Sequence, residues 1–334
     1  MISLGEWIAP IPRAALSRNK HLKASDHDYH EPVLLTETVE ALAPAPGKII
    51  VDGTLGGGGH AAALLERGAR VVGIDQDEEA IGHASQQLRR FGERFTAVKA
   101  NFARADQALD ALACIAVDGV LLDLGVSSHQ LRAGARGFSF LHDGPLDMRM
   151  DLQATESAAD LLNHRTEEQL AEIFRRFGEE PHARKIAGRI VRARGVQPLS
   201  RTQELAELVA SVVPRHGKTH PATRVFQALR IAVNRELDVL EIGLLKFSSR
   251  LRPGGRLAVI TFHSLEDRIV KRFFAERSTE WVDRPEWPEP RPNPELIFKR
   301  ITRKAVVAGK EEQQRNPRSR SARLRVVEKL TPCR

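Results

Sequence analysis

Four short β-like runs in the first half of the chain end on polar residues at regular intervals, and this spacing limits the fold more than any other feature. The runs are Lys48-Ile49-Ile50-Val51-Asp52, Arg70-Val71-Val72-Gly73-Ile74-Asp75, the weaker Phe95-Thr96-Ala97-Val98-Lys99-Ala100-Asn101, and Val117 to Leu124. They end at 52, 75, 101 and 123, which are 23, 26 and 22 residues apart. Each gap has room for one helix, and helical patterns fill it, for example over 61–67 and 78–91. Successive βα units of this length predict a parallel sheet with right-handed crossovers.

The pattern changes after the fourth run. From 152 to 215 the chain reads as helices only. Thr166-Glu167-Glu168-Gln169 has the form of a capping box, Leu170, Ile173, Phe174 and Phe177 follow on one face, and Gly178 offers a stop. Leu205, Leu208, Val209 and Val212 mark a second amphipathic helix, ended before Pro214. Between them Arg184, Lys185, Arg189, Arg192 and Arg194 make a basic helical stretch. A single long helical pattern over 224–250 comes next. Arg252-Pro253-Gly254-Gly255 breaks it, a fifth buried strand is expected over 256–262, and two later runs, 298–304 and 323–327, suggest a closing hairpin. Residues 281–294 are rich in proline and read as loop. The domain expectation is an N-terminal extension (1–29), a discontinuous sheet domain (30–140 and 222–334) and an inserted all-helical domain (141–221).

Composition narrows the class. With 334 residues, 42% hydrophobic and 28% charged, the chain can bury a sizeable core, and it does not read as disordered. No apolar run approaches the ~18 residues of a membrane span. The two cysteines, Cys114 and Cys333, form no metal-spaced or disulfide-like cluster, so a reducing cytoplasm is the expected location. The net charge is +8, and from Phe298 to Lys329 eleven basic residues stand against three acidic ones. That surface suits a polyanion or is simply a solvated basic face, and charge alone does not choose. The first 28 residues carry Arg13, Arg18 and Lys20 but lack the order of a secretory signal, and are expected to be an extension or a transit segment.

The strongest site follows the first strand: Asp52-Gly53-Thr54-Leu55-Gly56-Gly57-Gly58-Gly59-His60. Glycines admit positive φ and close ligand approach, and the helix that follows turns free N–H groups toward whatever binds there. A glycine loop alone also fits a dinucleotide fold. Against that reading, Asp52 ends the strand ahead of the glycines, Asp75 ends the second strand where a carboxylate can take both ribose hydroxyls, and Asp123 ends the fourth. Acids at three strand ends favour S-adenosylmethionine over a nicotinamide. No metal cluster stands out among the twelve histidines.

Longer motifs carry a resemblance. His30-Glu31-Pro32-Val33-Leu34-Leu35, the loop 52–60, Leu122 to Gln130, Arg136-Gly137-Phe138-Ser139-Phe140, Asp143 to Met150, Arg224 to Arg230, Phe262 to Arg268 and Asn316 to Arg325 occur in unbroken order. Together they resemble the bacterial 16S ribosomal RNA cytosine-N4 methyltransferases, the RsmH or MraW family. The resemblance implies a Rossmann-like S-adenosylmethionine-dependent methyltransferase sheet with an inserted all-helical domain, acting on a cytosine in the decoding region of 16S rRNA. It implies cofactor binding by Gly58, Gly59, His60, Asp75, Phe102, Asp123 and Gln130, with Phe102 on the adenine face. The partner would be the small ribosomal subunit; monomer and homodimer both stay open.

The exocyclic amine of cytosine is a poor nucleophile, its lone pair being delocalised into the ring. It must be held in line with the methyl group, about 3 Å away, while an acceptor takes or shares an amine hydrogen. Many amino-group methyltransferases follow the fourth strand with prolines and an aromatic; here Asp123 leads into Leu124-Gly125-Val126. Asp123 and, past the fifth strand, His263 are the candidate acceptors. Arg184 to Arg194 and Arg315 to Arg325 are candidate grips for RNA phosphates. The rival from another class is a nucleic-acid-binding regulator or ribosome-assembly factor that keeps the fold without the chemistry.

Overall fold

The computed structural model describes residues 32–126, 134–215 and 220–331; Gln130, Cys333 and the segment 1–29 lie outside the described residues. Helix α1 (Leu35–Leu42) leads into β1 (Ile49–Asp52), α2 (Gly59–Glu66), β2 (Arg70–Asp75), α3 (Glu78–Gln87), β3 (Phe95–Lys99), α4 (Ala105–Ala111) and β4 (Val117–Asp123). These are the expected βα units, with α3 stopping short of the predicted end. Its continuation over 89–94 is a 3-10 segment interrupted at Gly92, where φ is 57°.

Among the described residues seven strands form one sheet in the order β3-β2-β1-β4-β5-β9-β8, where β5 is Leu251–Thr261, β8 is Phe298–Arg300 and β9 is Arg323–Lys329. The first five are parallel, and β9 and β8 complete the edge antiparallel. The strands are apolar on both faces because helices cover both: Ile50, Val51, Ile74, Val120, Leu121 and Leu122 are fully buried. The chain reverses its direction of travel across the sheet between β1 and β4. In open parallel sheets ligands bind outside the carboxyl ends of the strands at such a point.

After β4 come α5 (Ala158–His164), α6 (Glu167–Gly178), α7 (Ala183–Arg194), α8 (Thr202–Ala210), α9 (Thr223–Asn234) and α10 (Glu236–Arg250). The Thr166 capping box is present, with Gln169 answering the cap. A separate apolar cluster running from Phe138 to Leu229 holds this block together. The predicted long helix over 224–250 is two helices. Arg235 adopts a left-handed conformation, φ 50°, ψ 38°, and splits them. The reason lies in packing. Val225, Phe226 and Leu229 of α9 enter the helical cluster, whereas Leu240, Leu244 and Phe247 of α10 enter the sheet core. One straight helix cannot aim both stripes.

Strand β5 (Leu251–Thr261) starts earlier than expected, because the Pro253-Gly254 turn is a bulge within it. Its register against β4 jumps from Val117↔Leu251 to Gly119↔Arg256, and Gly254 takes φ 78°. Then follow α11 (Ser264–Glu276), β6 (Trp281–Val282), β7 (Arg291–Pro292), β8 (Phe298–Arg300), α12 (Lys310–Arg315) and β9 (Arg323–Lys329). The proline-rich segment read as loop contains the small β6–β7 ribbon. Strands β8 and β9 pair as the closing hairpin predicts, and β9 also pairs with β5. No helix of the described residues is long and apolar enough to cross a membrane.

Candidate active site

A cavity of about 540 Å³ opens over the carboxyl ends of β1, β2 and β4, a size typical of small-ligand sites. The loop after β1 forms its floor. Asp52 is buried and its Oδ1 accepts from Thr54 N at 3.2 Å. Thr54 Oγ1 in turn accepts the Asp123 N–H at 2.6 Å, tying the end of β4 to this loop. Gly58 is the N-cap of α2 at φ 81°, a conformation that costs a side chain about 1–2 kcal/mol. A Cβ on Gly59 would stand 2.4 Å from Pro32 Cγ. No side chain caps α2, so the first N–H groups of the helix are left for a ligand.

The structure brings most of the expected residues to one cavity. Gly59, His60, Asp75, Phe102 and Asp123 line it; Gly58 shapes the turn without lining it, and Gly57 lines it instead. Gln130 lies outside the described residues. At the end of β2, Asp75 accepts from Gly56 N at 2.8 Å and from Asp77 N at 2.9 Å. Phe102 lies against α10, where a Cβ on Gly243 would meet its ring at 2.5 Å. Its exposed face, with Val239 and Leu240, makes an apolar slot.

Two acids, Asp75 and Asp123, line the cavity at the strand ends, and Asp52 lies buried at the end of β1 between them. Burial pushes the Asp52 carboxyl up to about 7, with Asp75 adding to the rise. Burial also lifts Asp75 to about 6, against the hydrogen bonds from Asp77 and Gly56. Asp123 is raised well above the carboxylate range, first by burial and then by the charges of Asp52 and Glu266. Its Oδ1 is shut off from solvent and has no hydrogen-bond partner among the described residues. Its Oδ2 faces His60 Nδ1 at 3.6 Å. Burial lowers His60 to about 4, so the ring is neutral near pH 7. Its Nε2 lies 3.1 Å from Val33 O and carries the proton, which leaves the Nδ1 lone pair toward Asp123.

The second candidate acceptor is differently placed. His263 is the N-cap of α11, where its Nδ1 accepts from Glu266 N at 3.4 Å and its Nε2 stands 3.1 Å from Glu266 Oε1. Glu266 returns the cap by accepting from Phe262 N at 2.9 Å and His263 N at 3.3 Å. Both ring nitrogens therefore face the helix. Glu266 lines the cavity and His263 does not.

Several residues at or behind the cavity wall lie in or beside the family-like motifs but had no role assigned from the sequence. Arg230 on α9 donates through Nε and Nη2 to the two oxygens of Glu236 at 2.8 Å each. Asn234 accepts from Met150 N and donates to Met148 O, both at 2.8 Å. Buried Arg136 donates to Asp77 at 3.2 Å, to Arg149 O at 2.9 Å and to Met150 O at 3.1 Å. These bonds strap the 148–150 segment between the sheet core and the helical block, so that Met150 forms part of the cavity wall. Asn316, Arg318 and Ser321 close the rim from the C-terminal side. Glu236, His263 and Glu266 also bring one ligand atom each within 4.8 Å of one another, a grouping that the sequence spacing had hidden. Arg230 already neutralises Glu236, and Glu266 is spent on its cap, so the arrangement reads as an ion-pair network.

In the C-terminal stretch Arg325 turns inward to Asp267 at 2.8 Å, whereas Arg323, 3.5 Å from the same carboxyl, and Arg320 stay exposed. Arg194 donates to Leu162 O. Arg184, Lys185, Arg189 and Arg192 stand exposed along α7, with no ion pair among the described residues.

Known proteins match this chain along nearly its whole length. The model of the MraW methylase family matches residues 27–330. A protein of Anaeromyxobacter dehalogenans named Ribosomal RNA small subunit methyltransferase H is 51% identical over 304 residues, covering 90% of this chain and 98% of that protein. Proteins of the same name from Syntrophotalea carbinolica and Carboxydothermus hydrogenoformans are 50% and 49% identical over 307 and 305 residues, with the same coverage. With its parallel sheet, glycine turn and acidic cavity in place, the chain belongs to the MraW methylase family.

Proposed function

We propose that this protein transfers the methyl group of S-adenosylmethionine to N4 of a cytosine in the decoding region of 16S rRNA, acting in the cytoplasm on the small ribosomal subunit. S-adenosylmethionine supplies an electrophilic methyl on a positively charged sulfur. The residues present fit such a donor. Asp52 is buried and Asp75 and Asp123 are half-buried, all three short of compensating charge, and a cationic ligand offsets what their desolvation costs. Asp75 keeps spare lone pairs for ribose hydroxyls. Phe102, Val239 and Leu240 offer an apolar slot for adenine. The free N–H groups at the start of α2, at Gly59 and His60, suit a carboxylate. Gln130 completes the proposed cofactor set, with Gly58 holding the turn.

The observation that carries the reading is Asp123 itself, an acid at the end of β4 that lines the cavity with its side chain 24% exposed. Beside a positive charge the Asp123 carboxyl ionises. Its cavity-facing oxygen then accepts a hydrogen of the cytosine amine as that nitrogen becomes tetrahedral. The exposed basic face of α7, on the inserted helical domain (141–221), is the proposed grip on RNA phosphates. A cytosine stacked in folded RNA must leave its stack to reach this depth.

Nucleoside mass spectrometry of 16S rRNA from cells lacking the gene tests the reading. N4-methylcytidine should vanish, return with the wild-type gene and stay absent with Asp123→Asn. Unchanged N4-methylcytidine in the deletion strain would refute it and favour a ribosome-assembly role.

A further inference from the structure

The proposed donor accounts for the acids of the cavity and leaves one buried cation unexplained. Arg230 lines the wall with its side chain 15% exposed. A guanidinium has five N–H donors. Two go to Glu236, and the remaining three have no recorded partner among the described residues. Those three are not shut off from solvent, so they are open to a ligand in the cavity. The bidentate pair fixes the plane of the guanidinium, and the left-handed joint at Arg235 lets Glu236, on the next helix, turn back onto it. Glu236, which Arg230 holds, brings a carboxylate oxygen within 4.8 Å of one of Glu266, just past the end of β5 and so beside the end of β4 that carries Asp123. Arg230 therefore lines the β5 side of the cavity, whereas Asp75 stands at the end of β2 on the far side of β1 and β4.

We propose that Arg230 is a base-reading residue that donates to N3 and O2 of the target cytosine, with Glu236 as its positioning residue; this rests on the cytosine-N4 reading above. The Watson–Crick edge of cytosine runs donor, acceptor, acceptor. Asp123 followed by a guanidinium presents acceptor, donor, donor. Uracil reverses the first two positions. It would set O4 against the Asp123 carboxylate and its N3–H against Arg230, so the same two groups that hold cytosine reject uracil.

The test uses purified full-length protein and small ribosomal subunits from a strain lacking the gene. Arg230→Met should lower kcat/KM for methyl transfer about 100-fold, the size of a lost hydrogen bond to a charged group. Its affinity for S-adenosylhomocysteine, measured by calorimetry, should stay within about twofold, since the donor site is separate. Arg230→Lys should recover part of the loss. Glu236→Gln, which still accepts from the guanidinium, should fall between wild type and Glu236→Leu, and the change should appear chiefly in KM for the subunit. A tenfold loss of S-adenosylhomocysteine binding in Arg230→Met would put the guanidinium on the donor and overturn the proposal. So would transfer within threefold of wild type, or tight Mn²⁺ binding by the wild type that Glu236→Gln abolishes. If wild-type protein labels an atom other than cytidine N4, the underlying reading falls whatever the variants do.

Discussion

At the scale of single residues, the two candidate proton acceptors have separated. Asp123 lines the cavity, whereas His263 does not: its Nδ1 caps its own helix, and its Nε2 is buried 3.1 Å from Glu266 Oε1, away from any ligand. Asp123→Asn should lower kcat by about 100-fold or more, the usual contribution of a positioned base. His263→Asn can still cap α11, so its transfer rate should stay within about threefold of wild type, while His263→Ala should cost about 1 kcal/mol of stability. Stopped-flow transfer and thermal melts check both. A hundredfold rate loss in His263→Asn would restore the histidine as proton acceptor. Asp52, Asp75 and Asp123 were legible in the sequence because each ends an apolar run. His263 misled because a histidine just past a strand looks the same whether it faces a ligand or caps a helix. Arg230 stood at the end of a family-like motif without a role, and its pairing with Glu236 could not be read. They are six residues apart in a pattern that runs on as one helix, and only the turn at Arg235, made without glycine, folds one back on the other.

At the scale of elements, the turn from β1 into α2 sets the donor site. Gly58→Ala should destabilise the protein by about 1–2 kcal/mol, because φ 81° disfavours a Cβ. The added methyl would also press on Leu88 at 3.1 Å. The same variant should weaken S-adenosylhomocysteine binding, since the helix N-terminus shifts with the turn; calorimetry and chemical melts measure the two effects. The succession of strands and helices up to β4 followed from spacing alone; the order β3-β2-β1-β4 within the sheet did not. The bulge in β5 did not, because Pro253-Gly254 reads as a chain break and only the pairing with β4 shows that the strand runs through it. The β6–β7 ribbon was hidden among prolines for a similar reason: two-residue strands leave no periodicity to detect.

For the whole molecule, the balance of charge makes two opposite predictions about pH. Asp52 and Asp75 rise on folding to about 7 and about 6 from an ordinary 3.8. These two acids make the folded, ligand-free protein hold more protons than the unfolded chain between pH 4 and 7, and His60, lowered to about 4 from 6.5, offsets one of them below about pH 6.5. The protein's stability should increase as pH falls from 8 toward 5, at up to about 1.4 kcal/mol per pH unit for each net proton taken up. A cationic ligand prefers the ionised acids, so S-adenosylmethionine should bind more weakly over the same fall. S-adenosylhomocysteine, with a neutral sulfur, should follow the fall less steeply. Melting curves and calorimetry across that range check both signs, and equal pH slopes for the two ligands would contradict the acidic-cavity account. The exposed cations of α7 belong to this scale too. Reversing Arg184, Lys185, Arg189 and Arg192 to glutamate should raise KM for the subunit and leave S-adenosylhomocysteine binding unchanged.

The most direct measurement is methyl transfer from S-adenosylmethionine labelled in its methyl group, by the purified protein, to small ribosomal subunits that lack the modification, with the product nucleoside identified by mass spectrometry. The account predicts label in N4-methylcytidine, lost with Asp123→Asn. Label in any other nucleoside, or none while S-adenosylmethionine still binds, would contradict it.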